Sequence, residues 1–180
     1  MKTIKKIFAT VMAIYNTYFK RAKIYFMVQK FRTANGSATP IVPTAPPEDR
    51  VRLCAKLLME EAFEAVSAMY GAPEVFHVQW MNVGELLEKM PVDVDMVKTV
   101  DGLTDVDYVN EYIRQEIGVD GLPFLEEVQR ANMAKFGPGS WVREDGKRMK
   151  PPGWEPPDIR ALLIKQGWTP PPDAPRESGG

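Results

Sequence analysis

Two acidic clusters place the strongest limit on what this chain folds into. They are Glu60-Glu61-Ala62-Phe63-Glu64 and Asp101-Gly102-Leu103-Thr104-Asp105. Because each residue of an α-helix turns by about 100°, the three glutamates fall on one side of a helix, together with Leu53, Leu57 and Ala68. The two aspartates lie about one turn apart and are flanked by Val97, Tyr108 and Tyr112. Both clusters are therefore expected on apolar, inward-facing helix surfaces.

Carboxylates on inward faces destabilise a fold unless they are paired or bind cations. No basic residue lies among these five acids, so the pattern predicts that Glu60, Glu61, Glu64, Asp101 and Asp105 are metal ligands. Oxygen ligands without His or Cys select Mg²⁺, with Mn²⁺ as the alternative. Mg²⁺ keeps some of its waters and bridges substrate phosphates. Two or more ions per site are accordingly expected only when a polyphosphate is bound.

Hydrophobic spacing and helix stop signals predict an all-α protein with about four main helices. The predicted ranges are 4–33, 49–70, 95–117 and 123–136. The expected boundaries are a stop at Asn35-Gly36, a cap at Asp49, a stop at Gly71-Ala72-Pro73 and an end at Gly118. The second helix is apolar nearly all round, which predicts a place at the centre of a bundle.

The remaining segments give weaker signals. Residues 74–94 indicate one or two short helices around 76–90, and a further short helix is expected near 158–166. Asp145-Gly146 predicts the turn of a small β-hairpin. Residues 38–47 form a proline-rich linker, and a proline-rich C-terminal tail is expected to be disordered.

Composition excludes several classes of protein. One cysteine, Cys54, rules out an internal disulfide and favours a reducing, cytoplasmic location. One histidine, His77, argues against a His-rich metal site or a Ser-His triad. The longest apolar-rich run spans residues 7–15, too short for a transmembrane helix.

The net charge of −1 hides an asymmetry between the two ends of the chain. Residues 1–47 contain eight basic residues and no acidic one, whereas the rest has 15 basic against 24 acidic residues. Such a basic arm can bind polyphosphate, nucleic acid or an anionic membrane, or can dock on the acidic body of a partner subunit. A non-enzymatic alternative is a helical nucleic-acid-binding protein, which predicts salt-sensitive DNA binding. Nucleic acid is the less favoured partner.

Four motifs in order make the chain resemble the MazG-like all-α nucleoside triphosphate (NTP) pyrophosphatases. They are the Glu-Glu-x-x-Glu helix, residues 101–109, the Asn-Met-x-Lys segment in 130–136, and the hairpin and tail around 143–158. The resemblance covers roughly residues 28–160. It divides the chain into a basic amphipathic extension (1–26), a pyrophosphatase domain (27–160) and a C-terminal helix end and tail (161–180). Related enzymes often carry Glu-x-x-Asp on the second acidic helix, where this chain has Gly102, so Asp101 is the assigned ligand.

The resemblance implies a helical bundle that assembles as a homo-oligomer, a dimer or tetramer. It also implies cleavage of a nucleoside triphosphate between the α and β phosphates, by a water activated by the cation. Glu61 is expected to orient or deprotonate that water, and Glu60 is the alternative. Lys135 is expected to offset phosphate charge, and Asn132 to bond phosphate or sugar. Tyr108 is expected in the sugar or base pocket and Lys147 near the phosphates, although a solvated lysine or a core tyrosine would fit these positions too.

Within the superfamily, the C-terminal motifs are most similar to the phage MazZ branch, the (d)GTP diphosphohydrolases of phages that replace adenine with diaminopurine. That likeness implies dGTP or GTP as the substrate in phage nucleotide metabolism. Two other enzymatic alternatives remain open: a general house-cleaning dNTP pyrophosphatase and a phosphoribosyl-ATP pyrophosphohydrolase.

Overall fold

The computed structural model describes residues 23–143 and 148–172, and within these ranges it confirms the predicted all-α class. Six helices occur in these ranges. They are α1 (23–34), α2 (Glu48–Tyr70), α3 (Pro73–Lys89), α4 (Met96–Glu116), α5 (Gly121–Ala134) and α6 (Ile159–Lys165). The chain divides into two compact units. One is Pro40–Val106, and the other comprises the described residues of Met1–Thr39 and Asp107–Gly180.

In the unit Pro40–Val106, α2 packs along α3. The predicted cap at Asp49 is wrong, because α2 begins at Glu48 after Pro47, whose extended backbone serves as the N-cap without a side-chain bond. Asp49 instead lies in the first turn, where a carboxylate interacts favourably with the helix dipole. The predicted end is confirmed: Gly71 adopts a left-handed φ of 61° and donates its N–H to the Ser67 carbonyl.

The segment that follows α2 is one helix of 17 residues rather than one or two short ones. Pro73, predicted as part of the stop signal, instead occupies the first turn of α3. Backbone N–H groups of the first turn have no acceptor within the helix, so a residue without an N–H fits there. The helix ends at Lys89, and Met90 takes an extended conformation before Pro91. A proline therefore closes one helix and opens the next.

Arg52 of α2 ties that helix to the C-terminal end of α3. Its guanidinium donates to the carbonyls of Leu87, Glu88 (3.0 Å) and Met90 (2.9 Å), and it also pairs with Glu48. The last carbonyls of a helix have no intrahelical partner, so this one side chain satisfies several of them. A second link is the ion pair of Lys56 with Glu88, which holds the pKa of the Glu88 carboxyl below its usual range.

We expect Arg52→Ala to lower the free energy of unfolding by about 1–3 kcal/mol, since charged hydrogen bonds to the α3 carbonyls are lost. Denaturant unfolding followed by far-UV circular dichroism measures the change. Arg50→Ala, two residues earlier on α2, is the matched control and should stay within about 0.5 kcal/mol of the wild type. Equal effects of the two substitutions would contradict the capping role.

In the other unit, α5 contacts α6. Asp120 caps α5 by accepting the Leu122 N–H at 3.2 Å, and the Gln166 amide bonds both backbone groups of Asp120. α5 therefore begins at Gly121, two residues before the predicted start at Pro123, and Pro123 still lies in the first turn.

A second link in this unit joins α5 to the segment before α6. Arg130 pairs with Glu127, which also accepts the Asp158 N–H at 3.1 Å. These bonds lower the pKa of the Glu127 carboxyl below its usual range.

The predicted helix 95–117 is confirmed as α4, and Gly118 follows its end with a φ of 72°. The stop at Asn35-Gly36 is confirmed for α1, whereas the predicted helical residues 4–22 lie outside the described residues. One antiparallel bridge joins Val142 to Arg148. The predicted turn at Asp145-Gly146 and the tail residues 173–180 also lie outside, so the hairpin and the disordered tail stay predictions.

Burial within the described residues is sparse. Only Ala131, Ser67 and Pro151 are buried, and no large side chain is fully enclosed. The apolar residues of α2 that predicted a bundle centre, such as Leu57 and Met69, are exposed. The place of α2 at the centre of a bundle therefore stays a prediction. Among the described helices, none has the length and apolar character to cross a membrane.

Candidate active site

The three predicted glutamates of α2 occupy one side of that helix. Glu60 is half-buried, whereas Glu61 and Glu64 are exposed. Glu60 and Glu64, one turn apart, both line a cavity between α2 and α3. Glu61 lies about 100° further round the helix and is not part of the cavity wall. The structure thus brings two of the predicted ligands to one cavity edge.

The cavity has a volume of about 620 Å³, and its nine lining residues comprise three with aromatic rings, Val78 and five polar side chains. Phe63 of α2 faces two side chains of α3, with ring centroids 6.4 Å from Phe76 and 6.3 Å from Trp80. Besides Glu60 and Glu64, the polar residues that line it are Ser67, Glu74 and His77. Cavities of roughly 300–1,000 Å³ with apolar walls and a few polar groups are typical small-molecule sites.

Sequence reasoning missed most of this cavity. Phe76 and Trp80 are four residues apart, a spacing that puts both on one helix face. That signal had meaning only once residues 73–89 were known to form a single helix beside α2. His77, for which the sequence argued only against a His-rich metal site or a Ser-His triad, also contributes to the wall.

The second pair of acids lies on α4. Asp101 and Asp105 are exposed, as is every residue from 97 to 112, including Tyr108. Among the described helices, α3 packs along α2, whereas α4 makes no comparably extensive contact with α2. In the described parts of the chain, no three Asp, Glu, His or Cys side chains are grouped closely enough to hold a metal ion. Among the described residues Asp101 and Asp105 face solvent, so the inward orientation expected of these two aspartates stays a prediction.

Asn132 and Lys135 belong to the other unit and bond each other: the Lys135 ammonium donates to Asn132 Oδ1 at 2.8 Å. The Trp154 ring lies beside them, with Lys135 Nζ 5.9 Å and Lys150 Nζ 4.3 Å from its centroid. Trp154 is held by its own N–H bond to the Ala131 carbonyl at 2.7 Å. Lys135, Lys150 and Trp154 therefore form a cationic patch, with two ammonium groups near one indole ring. Lys150 and Trp154 were not among the predicted site residues. Lys147 lies outside the described residues.

The described residues thus form a helical protein with a cavity large enough for a small molecule. Carboxylates and aromatic rings both line this cavity. A structural comparison gives the family. The chain is similar to a protein from Exiguobacterium sp. 255-15, described as a "putative NTP pyrophosphohydrolase" and solved by crystallography at 1.78 Å. The two are 31% identical with a TM-score of 0.57, over 79% of this chain and 95% of the other. No protein-family model and no curated protein matches the sequence.

The chain belongs to this family of NTP pyrophosphohydrolases. Its helical fold is consistent with the MazG-like superfamily that the motifs resemble.

Proposed function

We propose that this protein is a metal-dependent NTP diphosphohydrolase that cleaves between the α and β phosphates, giving a nucleoside monophosphate and pyrophosphate. The observation that carries the proposal is the cavity of α2 and α3, where Glu60 and Glu64 border aromatic rings. Aromatic rings suit a nucleobase, and the carboxylates suit the cations that accompany phosphates. Membership of the NTP pyrophosphohydrolase family supports the same chemistry.

The chemistry of the donor set fits Mg²⁺ or Mn²⁺. Five carboxylates are assigned as ligands: Glu60, Glu61, Glu64, Asp101 and Asp105. They offer hard oxygen atoms without sulfur or imidazole. When bound, such ions neutralise phosphate charge and lower the pKa of water. Within the described residues of one chain, no three such side chains are grouped closely enough to hold a metal ion.

The chain's own groups have distinct tasks in this proposal. Glu61 accepts a proton from the attacking water while the water oxygen bonds to phosphorus and the bond from phosphorus to the leaving oxygen breaks. Glu60 is the alternative base. Lys135 and Asn132 are assigned to phosphate and sugar, since an ammonium group and an amide suit anionic and hydroxyl oxygens. Tyr108 is assigned to the sugar or base and Lys147 to the phosphates.

The function is tested with a panel of ribo- and deoxynucleoside triphosphates in Mg²⁺, with products separated by chromatography. Equal amounts of monophosphate and pyrophosphate support cleavage between the α and β phosphates. Release of inorganic phosphate and a diphosphate would contradict it. Phosphoribosyl-ATP belongs in the panel, because rapid turnover of that compound alone would identify the protein as a phosphoribosyl-ATP pyrophosphohydrolase.

For the substrate, we expect kcat/KM for dGTP or GTP to exceed that for dCTP and dTTP by about tenfold or more. A base pocket that hydrogen-bonds guanine rejects other bases because unpaired buried polar groups cost roughly 1–3 kcal/mol each. The specific support is the likeness of the C-terminal motifs to the phage MazZ branch. Equal values for all four deoxynucleotides would indicate a general house-cleaning enzyme, and a preference for dCTP or dUTP would overturn the branch assignment.

A further inference from the structure

We propose that the basic arm binds the surface of a membrane that contains anionic lipids, through a helix that lies parallel to the membrane plane. The predicted helix 4–33 makes this contact. Its last part falls in α1, whereas residues 4–22 lie outside the described residues and are known by their sequence alone. Membrane binding would determine where the protein is located, and it is independent of the proposed function.

The first support is the side of α1 that packs on the rest of the chain. Ile24, Met27 and Phe31 lie within an arc of about 60° on this helix, and all three are half-buried. The Phe31 ring meets the Phe136 ring edge-on, with centroids 5.4 Å apart. Both rings belong to the same compact unit. One side of α1 is therefore occupied by its own chain.

The second support is the opposite side of α1. Tyr25 and Phe26 are 54% and 61% exposed, and their rings contact each other edge-on at a centroid distance of 5.5 Å. With a turn of about 100° per residue, the direction midway between these two side chains points about 180° away from the packed side. Aromatic rings at this exposure favour transfer out of water. The outer side of α1 is thus apolar and exposed.

The third support is that the sequence before α1 continues this apolar side. At the same turn per residue, an arc of about 160° that includes Tyr25 and Phe26 contains ten of the residues 4–22, all of them apolar or aromatic. They are Ile4, Ile7, Phe8, Val11, Met12, Ile14, Tyr15, Tyr18, Phe19 and Ala22. The basic residues of this stretch all fall outside the arc, and they are Lys5, Lys6, Lys20 and Arg21. The spacing therefore predicts a continuous apolar side, with the basic residues on the other side.

The charge of the basic arm indicates which partner covers this side. Its eight basic residues are accompanied by no acidic residue, and each lysine or arginine close to an anionic membrane is attracted to it. A helix with a basic polar side and an aromatic, apolar opposite side is typical of helices that bind membrane surfaces. Tyr15, Tyr18 and Tyr25 lie within the apolar arc, and tyrosine is enriched at the level of the lipid headgroups. An anionic membrane therefore accounts for both sides of the helix.

The other partners that a basic arm can bind account for one side only. Nucleic acid would engage the basic residues through its phosphates and leave the apolar side in water. The same helix of a second copy would cover the apolar side but bring like charges together. The acidic body of a partner subunit contacts one side of a helix, whereas the boundary between headgroups and acyl chains meets the apolar side and the flanking basic residues together.

The first test measures flotation of the full-length protein with lipid vesicles. We expect binding to vesicles of equimolar phosphatidylcholine and phosphatidylserine, and a partition coefficient at least about tenfold lower for pure phosphatidylcholine, since each basic residue adds attraction. Lys5→Gln combined with Lys6→Gln should lower the partition coefficient on the mixed vesicles by about tenfold. Binding to neither kind of vesicle, or equal binding to both, would overturn the proposal.

The second test changes the exposed rings of α1. Tyr25→Ser combined with Phe26→Ser should lower the partition coefficient on the mixed vesicles by about tenfold or more, because two rings no longer leave water. Val28→Ser is the matched control, since Val28 is 52% exposed on the same helix but lies outside the apolar arc. The control should change the coefficient by less than about twofold. Both proteins should keep the helix content of the wild type by circular dichroism. Equal effects of the two changes would rule out insertion of the apolar side.

The third test reports the orientation of the helix. In a Cys54→Ser background, an environment-sensitive fluorophore is attached to Phe19→Cys within the apolar arc or to Thr17→Cys on the other side. On the mixed vesicles, emission should rise strongly at position 19 and little at position 17. The same response at both positions would show that the helix is not oriented on the membrane, and would contradict the proposal.

Two further outcomes would overturn membrane binding in favour of another partner. Salt-sensitive binding to duplex DNA without binding to vesicles would indicate nucleic acid. A dimer that Tyr25→Ser with Phe26→Ser disrupts, again without binding to vesicles, would indicate a second copy of the chain. Triphosphate hydrolysis enters none of these measurements, so membrane binding and the proposed function can each fail alone.

Discussion

Glu61→Gln should lower kcat for triphosphate hydrolysis by at least about a hundredfold, the usual scale for losing general-base or metal-orienting assistance. The substitution keeps the shape of the side chain and removes its charge and its ability to accept a proton. Because Glu61 is exposed and close to Glu60 and Glu64 on α2, losing one of three like charges should leave the fold intact or slightly more stable. Steady-state kinetics and thermal unfolding measure the two effects.

The control for this variant is Glu85→Gln on α3, a solvent-exposed glutamate that pairs with Lys89 at 3.5 Å. Its rate should stay within about twofold of the wild type, since exposed ion pairs contribute little. Full activity of Glu61→Gln would refute the assigned role. A large loss in Glu60→Gln combined with a small one in Glu61→Gln would move the role of base to Glu60.

Removal of divalent cations is expected to have an equally large effect. Chelation followed by dialysis should lower hydrolysis by about a hundredfold or more, because cation stabilisation of phosphate charge contributes several kcal/mol. Mg²⁺ or Mn²⁺ should restore the rate. Ca²⁺ should restore it poorly, since it prefers more ligands at longer distances than Mg²⁺.

Circular dichroism of the chelated protein provides the control for this experiment. Retained helix content shows that the loss of rate is chemical and does not result from unfolding. Undiminished hydrolysis in excess chelator would contradict a metal-dependent mechanism. A metal-independent wild type would also remove the reason for assigning Asp101 and Asp105 to the site.

The helical fold class and most helix ends were predictable from the sequence, because both depend on the conformational preferences of residues close together in the chain. Gly71 and Gly118 end helices since they adopt left-handed φ values of 61° and 72° that other residues rarely take. Proline was harder to interpret. Pro73 was predicted as a stop and begins α3 instead, because a residue without an N–H suits the first turn as well as the position after an end.

The side-chain periodicity of α2 also predicted that Glu60, Glu61 and Glu64 share one side of the helix, a local property of any α-helix. The cavity beside them was not predictable in this way. It required Phe76 and Trp80 of α3 to meet Phe63, and that contact joins residues of two helices through tertiary packing. Likewise, Arg52 could be placed on α2 from sequence, whereas its bonds to the end of α3 depend on the angle between the helices.

The expected convergence of the two acidic clusters is the clearest case of this division. Helical spacing places Asp101 beside Asp105 and Glu60 beside Glu64 wherever these helices lie. It carries no information about which surface covers each face, because burial depends on the complete set of packed elements and on other copies of the chain. In one chain α4 is exposed from residue 97 to 112. The residue pattern therefore specifies which carboxylates share a helix face, while tertiary and quaternary packing decide whether the two faces converge.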